Sequence, residues 1–229
     1  MASPAVKRHR TQAERSEHTR ELLLDATIEC LVEVGYARTT VHEICLRAGL
    51  SRGAQQHHFT TKAELMASAL QHLFAKLSQE VLASAEQLPP GPERITKGID
   101  LLWRAYSGTL STAAMELWVA ARTDPELRRV LLPVDRGLGH ATLEFYRQAA
   151  GDDLDERLFE KLLLLSVNLT RGLALDAMLG GSASRRKALL DEWKAIVLEH
   201  YRGAGIQRSA RPSLGPTVAT KEEGGARGK

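Results

Sequence analysis

The residues Thr39 to Phe59, TTVHEICLRAGLSRGAQQHHF, decide the fold. Thr40-Val41-His42-Glu43 has the form of a capping box: the Thr40 hydroxyl accepts the N–H of Glu43, and the Glu43 carboxylate reaches back to the N–H of Thr40. A helix therefore begins here, and Val41, Ile44, Cys45 and Ala48 recur at the spacing that buries one face. Gly49 ends it, because glycine enters the left-handed region at little cost. Leu50 plugs the inner corner, and Ser51 caps a second short helix running to Phe59. The face of that second helix carries Arg52, Gln55, Gln56, His57 and His58. Two short helices about a tight turn, the second polar outward, form either a plain corner of an all-α protein or a DNA-reading helix-turn-helix.

Working outward, Lys7-Arg8-His9-Arg10 precedes Thr11-Gln12-Ala13-Glu14, a second capping box, and the first helix is expected to run to Val34. Leu23, Thr27, Cys30 and Val34 form its buried stripe, with Leu24, Ile28 and Leu31 beside it. Gly35 stops it, and Tyr36 fills the space before the next helix as a core aromatic. After the opening stretch, Thr61-Lys62-Ala63-Glu64 is a third capping box. It starts a long helix to about Glu86 that Leu88-Pro89-Pro90-Gly91-Pro92 breaks, since proline cannot continue the hydrogen-bond ladder.

The remainder reads as helices only: Glu93 to Leu110, a segment capped by Ser111 through Ala121, and one opening at Asp124-Pro125 that bends or restarts at Pro133 and ends at Gly151. The most apolar stretch is Leu154 to Leu179, with Leu158, Leu162, Leu165, Leu169 and Leu173 on one stripe. Gly180-Gly181 ends it, and the last helix runs from Ser184 to about Arg202. From Gly203 the Gly, Pro, Ser and charge content predicts a disordered tail.

Charge is unevenly placed. Residues 1–20 carry +3 and residues 202–229 carry +4, so the body between them is at −4 against +3 for the 229-residue whole. A basic arm beside a helix-turn-helix can enter a minor groove or lie along phosphates. No apolar run approaches the ~20 residues that span a bilayer, and the polar, basic start has no secretory apolar core, so the expectation is a cytoplasmic protein with no membrane partner. Cys30 and Cys45 read as small buried hydrophobes. His57 and His58 occupy neighbouring helical positions, poor geometry for one metal, and no Cys/His spacing suggests a metal or any other cofactor. No glycine-rich phosphate loop, nucleophile elbow or metal constellation supports an enzyme.

The segment Arg20 to Leu65 resembles the N-terminal signature of the TetR family of transcriptional regulators. The resemblance rests on Gly35-Tyr36, Thr39-Thr40-Val41, Ala48-Gly49-Leu50-Ser51, Phe59 and Lys62 in that order. It implies an all-α protein: a basic arm (1–10), an N-terminal three-helix helix-turn-helix DNA-binding domain (11–60), a larger helical ligand-binding and dimerisation domain (61–202) entered through the fourth helix, and a tail (203–229). It further implies a repressor released from an inverted-repeat operator by a small-molecule effector, with homodimerisation through residues 154–202.

Residue by residue, the resemblance gives Thr40 a phosphate, Arg52 a base edge, Gly53 a close backbone approach and Lys62 the duplex backbone. It sets Ser51 at the start of the reading helix, gives His57 a base or phosphate, and gives His58 a phosphate. The family usually has Leu then Tyr where this chain has Gln55 and Gln56. Gln56 can pair with adenine, whereas Gln55 must find a buried partner or swing outward. This pair keeps open a helical sensor or scaffold that no longer reads DNA; a small helical enzyme is a third alternative. For the effector, Trp103, Tyr106, Met115, Trp118, Phe145 and Met178 are candidate apolar pocket residues, and Arg122, Asn168, Arg171 and Asp176 candidate polar ones. Asn168, an amide inside an apolar helix, needs a partner.

Overall fold

Local capping fixes where most helices begin. In a computed structural model that describes residues 11–88, 92–150 and 156–209, Thr11 accepts the N–H of Glu14 at 3.2 Å and donates its own N–H to the Glu14 carboxylate at 2.7 Å. This complete capping box starts α1 (Gln12–Arg38). There follow α2 (Val41–Ala48), α3 (Arg52–His58), α4 (Lys62–Glu86), α5 (Pro92–Tyr106), α6 (Thr109–Ala121), α7 (Pro125–Ala150), α8 (Glu156–Met178) and α9 (Ala183–Ser209). The described residues contain helices and turns only. Gly35 breaks α1 with φ +74° and ψ 169°, one turn before its end, and Gly49 takes φ +67° between α2 and α3.

Several boundaries differ from expectation. The N-cap at Thr40 holds, but Glu43 does not reach back; its carboxylate faces Arg47 one turn on, at 3.8 Å. At Thr61 the Glu64 carboxylate accepts from Thr60 instead. Ser107-Gly108 separates α5 from α6, so Ser111 is not a cap but a buried residue inside α6. Pro133 interrupts nothing, because Leu127, Leu131, Val134 and Leu138 on both sides of it pack into the main core and hold α7 continuous. Ser182, not Ser184, caps α9, which continues as helix through residues 203–209 where a tail was expected. The basic arm, Gly151 and residues 210–229 lie outside the described residues.

The main core joins the helix-turn-helix to the body. Leu23, Leu24 and Leu31 of α1, Ile44 of α2, Leu65, Met66 and Leu70 of α4, Leu117 of α6, and Leu127 and Leu131 of α7 pack in one buried cluster. Burying such side chains stabilises by about 1.5–3 kcal/mol each before entropy is counted. A second cluster joins α5, α8 and α9 through Ile99, Leu162, Leu173, Leu190 and Val197, and a third joins α5 to α8 through Leu102, Tyr106, Leu163 and Val167. No helix among the described residues is long and apolar enough to cross a membrane.

Candidate nucleic-acid interface and the joint behind it

The tight turn presents α3 with one face in and one face out. Ser51 caps it by accepting the N–H of Ala54 at 3.2 Å, which leaves the serine O–H free to donate outward. Thr40 does the same for α2, accepting from Glu43 at 3.1 Å. Thr40, Ser51, Arg52, Gly53, Gln56 and His57 are all exposed, and His58 is half-buried at the edge. The positive ends of α2 and α3 and these donors are therefore solvent-facing, as are a guanidinium and an amide, the groups suited to phosphates and base edges. Burial, the neighbouring His57 and Arg20 together lower the His58 imidazole below its usual range.

Gln55 does not belong to that outward face. It is 4% exposed, and its Nε2 donates to the Phe59 carbonyl at 2.9 Å, so the amide is satisfied within its own turn. Gly53 has room for a side chain: a Cβ there would come no nearer than 3.8 Å, to Ser51 Oγ. Internal packing thus gives no reason for glycine, which costs a helix about 0.5–1 kcal/mol relative to alanine.

Lys62 departs most from expectation. Its ammonium donates to the Tyr36 carbonyl at 3.1 Å and lies 4.1 Å from the centre of the Tyr36 ring, turned into the protein rather than toward the reading face. Burial lowers its pKa against a raising influence from Asp124. Tyr36 is held from two further sides: its N–H donates to Glu116 of α6 at 2.9 Å, and its hydroxyl donates to Asp124 at 2.7 Å. A Cβ on Gly35 would sit 2.7 Å from the same Glu116 carboxylate. Glu116 and Asp124 are invisible as partners in the sequence, since 80 and 88 residues separate them from Tyr36; only the helix-start pattern at Asp124-Pro125 marked either position. Arg47 is likewise engaged, bonding Glu33 of α1 at 2.8 Å.

In the body, three of the pocket candidates come together. The Arg171 guanidinium lies 4.6 Å from the centre of the Trp118 ring and 5.4 Å from that of Tyr106, and Trp118 donates its indole N–H to Asp135 at 3.0 Å. Tyr106 also walls a small cavity of about 30 Å³, bounded by Phe74 and Leu77 of α4, Leu102 of α5, and Thr142 and Tyr146 of α7. None of these residues except Tyr106 stood out in the sequence, because an apolar wall has the same periodicity as ordinary core.

The other candidates sit elsewhere. Arg122 is exposed at the end of α6. Asn168 faces solvent and satisfies its amide on the Leu164 carbonyl at 2.8 Å, so the partner it needed is its own helix. Asp176 pairs with Arg185 and Arg186 across the α8–α9 turn, and Met178 is exposed. Trp103 packs half-buried against the α5–α8–α9 cluster and Met115 is half-buried on α6. The side chain of Phe145 lies outside the described residues.

The sequence pattern described as bacterial regulatory proteins, tetR family, matches residues 23–69. An HTH-type transcriptional regulator of Mycobacterium tuberculosis is 30% identical over 170 residues, covering 72% of this chain and 86% of the relative. The HTH-type transcriptional regulator CymR of Pseudomonas putida is 29% identical over 195 residues, covering 85% of this chain and 96% of the relative. Among solved structures, a transcriptional regulator from Rhodococcus sp. Rha1 superposes with a TM-score of 0.58 at 27% identity, covering 81% of this chain and 97% of that one.

Proposed function

The chain belongs to the TetR family of bacterial regulatory proteins and is a DNA-binding transcriptional regulator, and from that premise we propose that it binds an inverted-repeat operator as a homodimer and is released by a small-molecule effector. The observation that carries the DNA contacts is the outward face of α3: Arg52, Gln56 and His57 exposed between two capped helix starts, with Gln55 and Phe59 turned inside. Arg52 reads guanine and Gln56 reads adenine, the pairings their donors and acceptors fit best. Thr40, Ser51 and His58 take phosphates, and Gly53 lets the backbone approach. Lys62 serves the joint at Tyr36 and reaches a phosphate only by leaving it.

One reading helix covers few base pairs, so useful specificity requires two copies in successive major grooves. Supporting this, α8 turns Leu164, Leu165 and Leu175 outward, with Leu179 after it and Leu189 on α9 also exposed. Leu165, on the apolar stripe of α8 read from the sequence, is 55% exposed. Such a row on neighbouring helices suits a self-complementary four-helix contact.

The body regulates the head through Tyr36, which ties α1 and the start of α4 to α6 and the start of α7. A ligand that favours one placement of α6 thereby favours one placement of the reading helices. Selection of duplexes from a random library by the full-length protein tests the reading. A two-fold-symmetric inverted repeat bound by a dimer supports it, and no enrichment sinks it.

A further inference from the structure

We propose that Arg171 of α8, stacked on Trp118 of α6 and Tyr106 of α5, is the receptor for an organic anion, a carboxylate carried on an apolar body; the proposal rests on the effector reading above and gives that effector a chemical class. Arg171 is half-buried over the faces of Trp118 and Tyr106, and among the described residues no carboxylate pairs with it. Its Nε is shielded from solvent and has no hydrogen-bond partner. A guanidinium partly shielded from water without a counter-charge carries a desolvation cost, and two aromatic faces offset only part of it. Asp135 forms no ion pair with Arg171: its Oδ1 accepts the indole N–H of Trp118 at 3.0 Å and fixes the ring against which Arg171 stacks. The stacked fork is thereby oriented, and two parallel N–H donors match the two oxygens of a carboxylate.

Two further observations shape the ligand. Ser111 shares the Trp118 side of α6, about 10 Å away at 1.5 Å per residue, and its buried Oγ also lacks a partner. It is a second polar group left open on that side of α6. Tyr106, whose ring Arg171 approaches, walls the apolar cavity on α4, α5 and α7. The body of the ligand is therefore apolar, and its cationic analogues are excluded by the guanidinium. The cavity of about 30 Å³ has room for a water or two, so binding must spread the helices around it. Leu110 of α6 is one of its walls beside residues of α4, α5 and α7, so spreading them reaches α6, whose Glu116 holds Tyr36.

The test titrates full-length protein with benzoate, phenylacetate, hexanoate, octanoate and decanoate, each beside its uncharged amide, following heat and tryptophan fluorescence. At least one carboxylate is expected to bind about tenfold or more tighter than its amide, the gain typical of a charge-assisted bond. Arg171→Met, shown to be folded by cooperative unfolding, is expected to lose that preference. The wild-type comparison alone decides the matter if the variant does not fold. Equal binding of carboxylates and amides, no binding by any carboxylate at millimolar concentration, or an unchanged preference in folded Arg171→Met each overturns the proposal. Release of the operator by an uncharged or cationic compound alone overturns it too, while leaving the effector reading standing; an operator that no compound releases would fail that reading instead.

Discussion

The phenolic hydroxyl of Tyr36 donates to Oδ2 of Asp124 across 2.7 Å, joining the turn after Gly35 to a residue 88 positions later. The other oxygen of that carboxylate accepts the N–H of Leu127 in the first turn of α7 at 3.0 Å. One side chain thus caps a body helix and holds the head. The Leu127 N–H and the Tyr36 hydroxyl together keep the Asp124 carboxyl below the usual range.

Tyr36→Phe removes the bond and keeps the ring, and is expected to cost about 1–2 kcal/mol in urea unfolding at neutral pH. The carboxyl pKa is lower folded than unfolded, so its contribution is present above about pH 3.9 and is lost as pH falls through the folded value. The variant should therefore lose less stability than wild type on acidification. Parallel stability-against-pH curves for the two proteins would show that this bond does not set the acid limb.

Gly35→Ala forces a side chain into a backbone region that essentially only glycine enters, at about 1–3 kcal/mol, and also drives a Cβ against the Glu116 carboxylate. Adding Glu116→Ala should relieve the collision but not the strain. The double variant should be less unstable than the sum of the two single ones; strict additivity in thermal unfolding would mean that the carboxylate is not in the way.

Gly53→Ala separates folding from recognition. The site has space and no positive φ, so the head should gain up to about 1 kcal/mol from helix propensity while operator affinity falls. A variant that is more stable and binds equally well would show that DNA does not approach this backbone.

Lys62→Met should lower the melting temperature, because the Tyr36 carbonyl loses its ammonium partner. The slope of log affinity against log salt should stay as in wild type, since the ammonium is spent inside the protein. A slope shallower by about one would place it on a phosphate in the complex.

The ends of the first helices were legible because caps are local chemistry: Thr11 and Ser51 at helix starts and Gly49 at a helix end act on atoms within a few residues, as the spacing requires. Side-chain direction was less so. Gln55 could seek a buried partner or turn outward; its place on α3 points into the core, and the Phe59 carbonyl is that partner. Asn168 looked buried by its apolar neighbours, yet it faces solvent and bonds its own helix. The joint at Tyr36 and the stacking of Arg171 on Trp118 could not be read at all. Both depend on how distant helices pack, and nothing in the spacing of Glu116, Asp124 or Trp118 announces their partners. Of the pocket residues chosen by type, the three that meet are the two aromatics and the arginine that pack as one unit.

The proposed recognition rests on Arg52 of α3 reading a base pair. Fluorescence anisotropy of wild type and Arg52→Ala on the selected inverted repeat and on a random duplex, at one salt concentration, tests it most directly. Base reading by Arg52 entails a loss of about 1–3 kcal/mol on the inverted repeat, with relaxed preference at one base pair per half-site and little change on random duplex. Equal losses on both duplexes would contradict it and reduce Arg52 to a phosphate contact.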